Sequence, residues 1–255
     1  MRTTPLFSVI IPVFNNRETV ARAIESVLAQ THPAVEIIVI DDGSADGAAD
    51  LIQKVFRDRV NLIRFPENKG PSAARNAGIE AATGTHLAFL DADDSWLPQK
   101  LQRVADVLKT HPDAWLLFHD HALVPQISSP VIPKRFPLRG LLLRNPVATP
   151  CAVVCRSALR FDEKLRWMED YDYFLRHAEA GPVYYLPETL TVLGRPILSA
   201  GGHSSRRWEM RKAEGQVILQ FCLRHPAYIP VMPFWGAWPL VKHFVQEVKR
   251  GFKRS

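Results

Sequence analysis

Short apolar runs alternate with segments of helical spacing through residues 1–110, and this alternation constrains the fold more than any other feature. Five of the six residues from Val35 to Ile40 are apolar and β-branched, with Glu36 the exception, and such a run is typical of a strand buried on both faces. Apolar residues between Asn16 and Gln30 instead follow the period of an amphipathic helix. The same reasoning predicts strands over 6–11, 35–40, 61–65 and 86–90, and helices over 16–30, 45–57, 71–82 and 97–108. Strands and helices in this order indicate a parallel sheet covered by helices.

The second half of the chain is less regular. Residues 122–150 contain six prolines and predict a long irregular connection. Beyond them, we expect a strand over 152–155 and helices over 169–180 and 206–223. Because no linker is evident, the expected fold is a single α/β domain with a doubly wound mixed sheet. We assign it residues 1–225, in halves 1–110 and 111–225, followed by a basic amphipathic C-terminal segment, 226–255.

Composition and charge indicate the cellular compartment and the kind of partner to expect. The sequence has neither a recognisable signal peptide nor the roughly 20 consecutive apolar residues of a membrane span, so we expect a cytoplasmic protein. Its three cysteines form no zinc-binding pattern and suggest a reducing compartment. The formal charge is +6, and residues 203–255 hold ten Lys or Arg against three Glu. The excess positive charge is therefore local and predicts an anionic partner at the C-terminus.

Polar residues follow three of the four predicted strands, where ligands bind in doubly wound sheets. The sequence lacks both the G-x-G-x-x-G and the G-x-x-x-x-G-K-[ST] phosphate-binding motifs. Asp91-Ala92-Asp93 supplies hard oxygen ligands that suit Mg²⁺ or Mn²⁺ bridging to phosphates. Alternatively, these acids could start a turn and cap the next helix.

Five segments, in order and at the usual spacing, resemble the signatures of the family 2 glycosyltransferases. Four lie in the first half and the fifth resembles the family's Glu-Asp motif, so the likeness covers residues 6–176. They are Ser8–Asn15 (SVIIPVFN), Glu36–Ser44 (EIIVIDDGS), Asn68–Gly78 (NKGPSAARNAG), Phe89–Asp94 (FLDADD) and Trp167–Leu175 (WMEDYDYFL). The resemblance implies a GT-A fold and inverting transfer of a sugar from a nucleotide-diphosphate donor, with residues 1–110 binding the donor and 111–225 the acceptor.

The resemblance also implies roles for individual residues. It places the nucleotide base near Asp41 or Asp42, close backbone approach at Gly70, and a nucleotide contact at Arg75. The implied substrate-binding set is Pro12, Phe14, Asn15, Asp41, Asp42, Gly70, Arg75, Asp91, Ala92 and Glu169.

The metal and the general base follow from the same resemblance. Asp93 is implied as the main ligand of Mn²⁺ or Mg²⁺, with Asp91 near the metal and the ribose. Asp170 is implied as the general base that deprotonates the acceptor hydroxyl, a role that a positioned carboxylate can fill. Alternatively, Glu169 and Asp170 could merely complement a helix N-terminus, where acids are favoured.

Downstream the likeness weakens. Family members often carry Tyr-Arg and then His-x-x-Ser, whereas this chain has Leu193-Gly194-Arg195 and then His203 in a Gly-Ser-rich stretch. His203 could contact donor phosphate or metal, or could be a solvated loop residue. We expect a UDP-sugar donor and a glycan or lipid-linked acceptor in the synthesis of lipopolysaccharide, capsule or exopolysaccharide. The alternatives are a nucleotidyltransferase and a basic nucleic-acid-binding module, and the acidic strand ends argue against a nucleic-acid partner.

The C-terminal residues 234–255 combine an apolar stripe with basic residues and two tryptophans. This pattern is typical of a helix in the headgroup region of an anionic membrane. It predicts a peripheral protein on the inner face of the plasma membrane. Alternatively, the segment is a terminal helix packed on the domain with a solvated basic tail.

Overall fold

The four predicted strands of the first half form a parallel unit. In the computed structural model they pair side by side in the order β3-β2-β1-β4. Their bounds are β1 (Phe7–Val13), β2 (Val35–Asp41), β3 (Asn61–Arg64) and β4 (His86–Phe89). The structure describes residues 6–33, 35–126, 130–143, 145–196 and 207–231. The predicted parallel sheet is therefore confirmed for this half.

Three helices connect these strands and a fourth follows them, as predicted, but the helices are shorter than predicted or shifted. Their bounds are α1 (Val20–Leu28), α2 (Ala48–Phe56), α3 (Pro71–Ala81) and α4 (Lys100–Thr110). Helix α1 begins later than predicted because a turn precedes it, in which the Val20 amide donates to the Asn16 carbonyl. Helix α2 begins late because Gly47 has a left-handed φ of 81° and interrupts helical geometry there.

The second half completes the sheet with mixed pairing. Its strands are β5 (Ser95–Trp96), β6 (Leu116–Ala122), β7 (Lys134–Phe136), β8 (Ala152–Cys155) and β9 (Val183–Val192). The order of the path is β3-β2-β1-β4-β8-β6-β9-β5, and β7 pairs with β9. Strand β8 was predicted and lies antiparallel to both β4 and β6. The predicted mixed sheet is thus confirmed, although β6 and β9 were not expected from the sequence.

The stretch predicted to be irregular, 122–150, is in part regular. It contains β7 and a short helix, α5 (Leu138–Leu143). Leu141 and Leu142 are fully buried, and the Leu141 carbonyl accepts a hydrogen bond from the Tyr171 hydroxyl at 3.0 Å. The prediction failed because these contacts are made to a distant helix, α6 (Glu169–Ala180), and leave no local periodicity.

Helices cover both faces of the sheet. Residues of α1, α2 and α4 pack with Val9 and Ile11 on one face. The other face, which includes Ile10, is covered by α3, α5, α6 and α7 (Arg207–Arg224). Because neighbouring residues of β1 are buried against opposite layers, the strand shows no polar alternation in sequence.

The C-terminal part is described as far as residue 231. A 3-10 helix, Pro226–Val231, follows α7, and the Tyr228 ring packs on Phe221 with centroids 5.2 Å apart. None of the helices within the described ranges is both long and apolar enough to cross a bilayer. His203 and the predicted membrane-binding segment, 234–255, lie outside the described residues.

Close packing of α3 on the sheet depends on Gly78. A Cβ atom at this position would lie 2.5 Å from Ile10 Cγ2 and 2.9 Å from Ile40 Cδ1. Both isoleucines are fully buried in strands β1 and β2, so neither side chain can move aside freely. Gly78 therefore sets the distance between the sheet and the helix that carries Arg75.

We expect Gly78→Ala to lower the free energy of unfolding by about 1–2 kcal/mol, because overpacking outweighs the gain in helix propensity. Urea denaturation of the two proteins measures the difference. The matched control is Gly215→Ala in α7, where a Cβ would meet no atom within 4 Å. That change should leave stability equal or raise it by up to about 1 kcal/mol. A stable Gly78→Ala protein would contradict this account of the α3–sheet contact.

Candidate active site

The predicted site residues of the first half meet at one edge of the sheet. Strands β2, β1 and β4 are parallel neighbours, so their carboxyl ends lie side by side. Asn15 follows β1, Asp42 follows β2, and Asp91 to Asp94 follow β4. The edge thus collects acidic and amide side chains, as the sequence predicted.

The loop after β1 is tied to the loop after β2 through Asn15. Its backbone has a left-handed φ of 51°, its amide donates to Ser44 Oγ at 3.0 Å, and its Oδ1 accepts from the Ala45 amide at 2.9 Å. Next to it, Phe14 is 46% exposed, which is unusual for a large apolar side chain, while Pro12 in β1 is half-buried. Phe14 therefore offers an open apolar surface at the sheet edge, and the nucleotide contacts implied for these three residues stay predictions.

Asp42 fixes the loop that leads into α3. Its Oδ1 accepts a hydrogen bond from the Lys69 amide at 2.7 Å, and its Oδ2 accepts from the Gly70 amide and from Asn68 Nδ2, both at 2.9 Å. Burial raises the pKa of Asp42, while the hydrogen bonds from Lys69 and Gly70 oppose the rise. Asp42 thus stabilises a loop of the site, and its predicted contact with a base stays a prediction.

Asp41 and Gly70 shape the same region. Asp41 is buried, accepts a hydrogen bond from the Ser44 amide at 3.3 Å, and lies 3.9 Å from Arg64 Nε. Gly70 has a φ of 91°, which side-chain-bearing residues rarely adopt, and no atom lies within 4 Å of where its Cβ would be. The backbone is therefore open to a ligand at Gly70, as the predicted close approach requires.

Arg75 joins the two halves of the chain. Its Nη2 contacts Asp91 Oδ1 at 3.1 Å and its Nη1 contacts Glu169 Oε1 at 3.3 Å, across 94 residues of sequence. The guanidinium lies over the Phe161 ring at 5.4 Å from its centroid. Burial acts to lower the pKa of Arg75, but Asp91, Glu169 and Asp170 together raise it. The cation thus neutralises carboxylates at the centre of the site, and its predicted nucleotide contact stays a prediction.

The carboxylates after β4 face different partners. Asp93 Oδ2 lies 2.9 Å from Arg195 Nε, and Asp94 Oδ1 accepts a hydrogen bond from the Gly194 amide at 2.8 Å. Asp91 and Asp93 remain partly exposed, whereas Ala92 between them is buried. Residues 91–94 form a turn closed by a hydrogen bond from the Asp94 amide to the Asp91 carbonyl at 3.0 Å, and this turn leaves both candidate metal ligands partly exposed. The local structure is therefore the turn that the alternative interpretation of these acids expected.

The residues present fit a divalent cation that is shared with a ligand. Within the described ranges, no three His, Cys, Asp or Glu side chains gather as an all-protein metal cage. Asp91 and Asp93 nonetheless offer hard carboxylate oxygens beside the partly open edge. Mg²⁺ is usually held by one or two carboxylates together with substrate phosphates, and Mn²⁺ accepts the same oxygen donors. The donor set is thus of the kind that a metal-bound diphosphate requires.

Asp170 lies at the start of α6, beside Glu169. Its Oδ1 accepts from the Tyr171 amide at 2.7 Å, and its Oδ2 accepts from Thr149 Oγ1 at 3.2 Å. Burial and then the Glu169 carboxylate raise the pKa of Asp170 to about 6, against the lowering effects of Arg75, Tyr171 and Thr149. A carboxylate with such a pKa is suited to accept a proton near neutral pH.

Three residues at the site were not assigned from the sequence. Thr149 donates to Asp170, Arg195 pairs with Asp93, and Arg22 Nη2 donates to the Asp93 carbonyl at 2.5 Å. Of these three residues, only Arg195 lies in a segment that resembles a family motif, the Tyr-Arg pair. Thr149 and Arg22 carry no local pattern, because their importance comes from elements that meet only in the folded chain.

The fold and this edge are those of one class of protein, the glycosyltransferases with a GT-A fold. The profile of "Glycosyl transferase family 2" matches residues 8–165, more than half of the chain. The chain belongs to glycosyl transferase family 2. The predicted family is therefore confirmed, which favours a sugar transferase over the two alternative functions.

One curated relative is the succinoglycan biosynthesis protein ExoO of Rhizobium meliloti. It is 34% identical over 192 residues, which cover 66% of this chain and 54% of ExoO. The chain spans about half, or less, of the length of the first curated relatives that it matches.

Two solved structures share the fold. S. aureus TarS 1-349 in complex with UDP-GlcNAc has a TM-score of 0.69 and 21% identity, with 85% of this chain and 66% of TarS covered. The mannosyltransferase PcManGT of Pyrobaculum calidifontis, in complex with GDP-Man and Mn²⁺, has a TM-score of 0.69 and 17% identity, with 93% and 70% covered. At these identities the likeness establishes the GT-A fold.

Proposed function

We propose that this protein is an inverting, metal-dependent glycosyltransferase that uses Asp170 as its general base. The observation that carries the proposal is the chain of contacts Asp91–Arg75–Glu169 with Asp170 beside it. This series of contacts connects the end of β4, which is suited to a diphosphate, with a carboxylate whose pKa is raised to about 6. Donor chemistry and proton acceptance are thus supported at one sheet edge.

On the acceptor side, Asp170 accepts the proton of the acceptor hydroxyl. The hydroxyl oxygen forms a bond to the anomeric carbon while the bond from that carbon to the diphosphate oxygen breaks. A single displacement from the opposite face inverts the anomeric centre. The hydrogen bond from the Tyr171 amide orients the carboxylate before the proton arrives.

On the donor side, Asp93 and Asp91 would hold the cation. A bound Mn²⁺ or Mg²⁺ supplies positive charge for the departing diphosphate. Arg75 keeps Asp91 in place through its contact at 3.1 Å, and Arg22 holds the backbone of Asp93. The exposed Phe14 and the open backbone at Gly70 are suited to receive the nucleotide.

We infer a UDP-sugar as donor and a cell-surface polysaccharide, such as lipopolysaccharide, capsule or exopolysaccharide, as product. The relative ExoO is named for succinoglycan biosynthesis, and the structural neighbour TarS binds UDP-GlcNAc. The acceptor is then a growing glycan or a lipid-linked saccharide.

The base assignment predicts the pH dependence and the effect of removing one carboxylate. Because Asp170 must be ionised to accept a proton, kcat/KM should rise with pH through about 6 and then level. Asp170→Asn keeps the shape and should lower kcat by about 10²–10⁴-fold. Steady-state kinetics across pH with a UDP-sugar and acceptor measures both effects.

The matched control for the base is Asp58→Asn, in the exposed turn Arg57–Arg59 after α2, which should leave turnover unchanged. Nucleotide affinity should also survive in Asp170→Asn, since the carboxylate acts on the acceptor side. Loss of UDP binding together with an unchanged kcat would make Asp170 a binding residue instead.

The metal assignment predicts that transfer stops in EDTA and returns with Mn²⁺ or Mg²⁺. Asp93→Ala should abolish transfer because the cation would lose a carboxylate ligand, while thermal unfolding shows that the fold is retained. Isothermal titration of UDP with and without Mn²⁺ should show metal-enhanced binding to the wild type alone. Full turnover in the presence of the chelator would exclude a role for the metal in transfer.

We also propose that residues 234–255 bind the anionic inner face of the plasma membrane, where a lipid-linked acceptor would be met. Each basic residue near such a surface contributes about 1 kcal/mol. The full chain should therefore sediment with vesicles that contain anionic lipid and dissociate in high salt.

A variant with Lys249, Arg250, Lys253 and Arg254 changed to Gln tests the electrostatic part of this binding. It should bind vesicles far more weakly, with soluble-acceptor activity unchanged. Equal binding by the variant, or binding to neutral vesicles alone, would refute the electrostatic attachment.

A further inference from the structure

Thr149 makes a contact with Asp170 that the reaction described above does not by itself require. Its hydroxyl donates to Asp170 Oδ2 at 3.2 Å, and its side chain is buried, 7% exposed. The two residues are 21 positions apart and belong to different elements: a 3-10 turn, Thr149–Cys151, and helix α6. Nothing in the local sequence forces the hydroxyl toward this carboxylate.

The position of the turn follows from the direction of β8. Strand β8 begins at Ala152, directly after the turn, and runs antiparallel to β4. The start of an antiparallel strand lies beside the end of its partner, so the turn reaches the edge where Asp91 to Asp94 lie. The second half of the chain thereby places a hydroxyl at the acidic edge.

A buried cluster of hydrogen bonds fixes the backbone of this turn at Pro150. Three donors from three elements bond to the Pro150 carbonyl: Trp96 Nε1 at 2.9 Å, Lys100 Nζ at 2.9 Å and Thr191 Oγ1 at 3.0 Å. Lys100 is fully buried, and its Nζ lies 3.3 Å from the centroid of the Trp96 ring. Such a buried, highly bonded carbonyl strongly restricts the backbone next to Thr149.

Burial of the Lys100 amine costs free energy. The contacts that offset this cost are the ones that fix the turn. Desolvation lowers the pKa of Lys100 well below its ordinary value, with Cys151 and Asp94 opposing the effect. Its contacts with the Pro150 carbonyl and the Trp96 ring fix the turn, and the transfer reaction described above makes no use of this amine. The cluster therefore supports the turn that carries Thr149.

We propose that Thr149 is a positioning residue for the general base, its hydroxyl orienting the Asp170 carboxylate and favouring the ionised form that accepts the acceptor proton. This inference rests on the proposed function. A hydroxyl is suited to the role because it donates to the carboxylate before proton transfer and can rotate to accept from the carboxylic acid afterwards.

The groups around Asp170 set the background for a test. Glu169 precedes it on α6 and disfavours its ionisation, whereas the Arg75 cation of α3 and the Tyr171 amide favour it. The Thr149 hydroxyl is the remaining donor and comes from the turn before β8. Removing this hydroxyl alone should therefore raise the pKa of Asp170 while the other groups stay in place.

Thr149→Val removes the hydroxyl and keeps the shape. The acid limb of kcat/KM should move to higher pH by about one unit, because a hydrogen bond to a charged group is lost. Above that limb, kcat should fall by about 10-fold from lost orientation, with KM for the UDP-sugar unchanged. Thr149→Ser should restore the wild-type limb, and Thr149→Ala should shift it as the valine variant does, which guards against a packing effect of valine.

Controls separate this inference from the proposed function. Thr110→Val, at the exposed end of α4, removes a hydroxyl that bonds only locally and should leave the pH profile unchanged. Asp170→Asn is measured in parallel. If it remains fully active, the base assignment itself fails. If it is inactive but Thr149→Val and Thr149→Ala keep the wild-type acid limb and kcat, Asp170 remains the base and the positioning role of Thr149 is overturned.

Discussion

The buried guanidinium of Arg75 is the interaction on which the site depends. It binds Asp91 from the strand end of the first half and Glu169 from the helix of the second, at 3.1 and 3.3 Å. A buried ion pair repays its desolvation only when both sides are well placed, and loss of one partner leaves an uncompensated charge. Helix α3 can present Arg75 here because Gly78 lets it approach the sheet closely. The position of Glu169, and with it Asp170, thus depends on packing against β1 and β2.

Carboxylates crowd this edge, and their surroundings give them different acidities. Burial and neighbouring acids raise the pKa of Asp94 to about 7 and that of Asp170 to about 6. Folding therefore disfavours the charged form of both groups, a cost that structures retain mainly at functional sites. Asp170 offsets part of the cost through Arg75 and two hydrogen-bond donors. The same donors that offset the cost of burying the carboxylate also fix its orientation.

Sequence patterns predicted the first half of the fold well and the second half poorly. Strands β1, β2 and β4 are largely apolar runs buried on both faces, so their pattern is clear. Strand β9 was missed because it contains Pro187 and Glu188. Glu188 is buried with partners from distant segments: Arg103 of α4 binds its carboxylate at 2.6 Å, and the Val131 amide donates to it at 2.8 Å. Strand β6 ends in polar residues that include Asp120, whose carboxylate accepts from the Tyr185 hydroxyl of β9 at 2.7 Å. Such partners cannot be read from local periodicity.

The sequence by itself determined which side chains reach the active edge from the parallel strands. The carboxyl ends of parallel neighbours always share one edge, so the residues after β1, β2 and β4 had to meet there. The tertiary structure alone decided the partners of those residues: Thr149 for Asp170, Glu169 for Arg75 and Arg195 for Asp93. These pairs depend on the antiparallel direction of β8 and on where α6 and the end of β9 pack. Strand direction and helix placement are set by burial of the whole core, which no local spacing encodes.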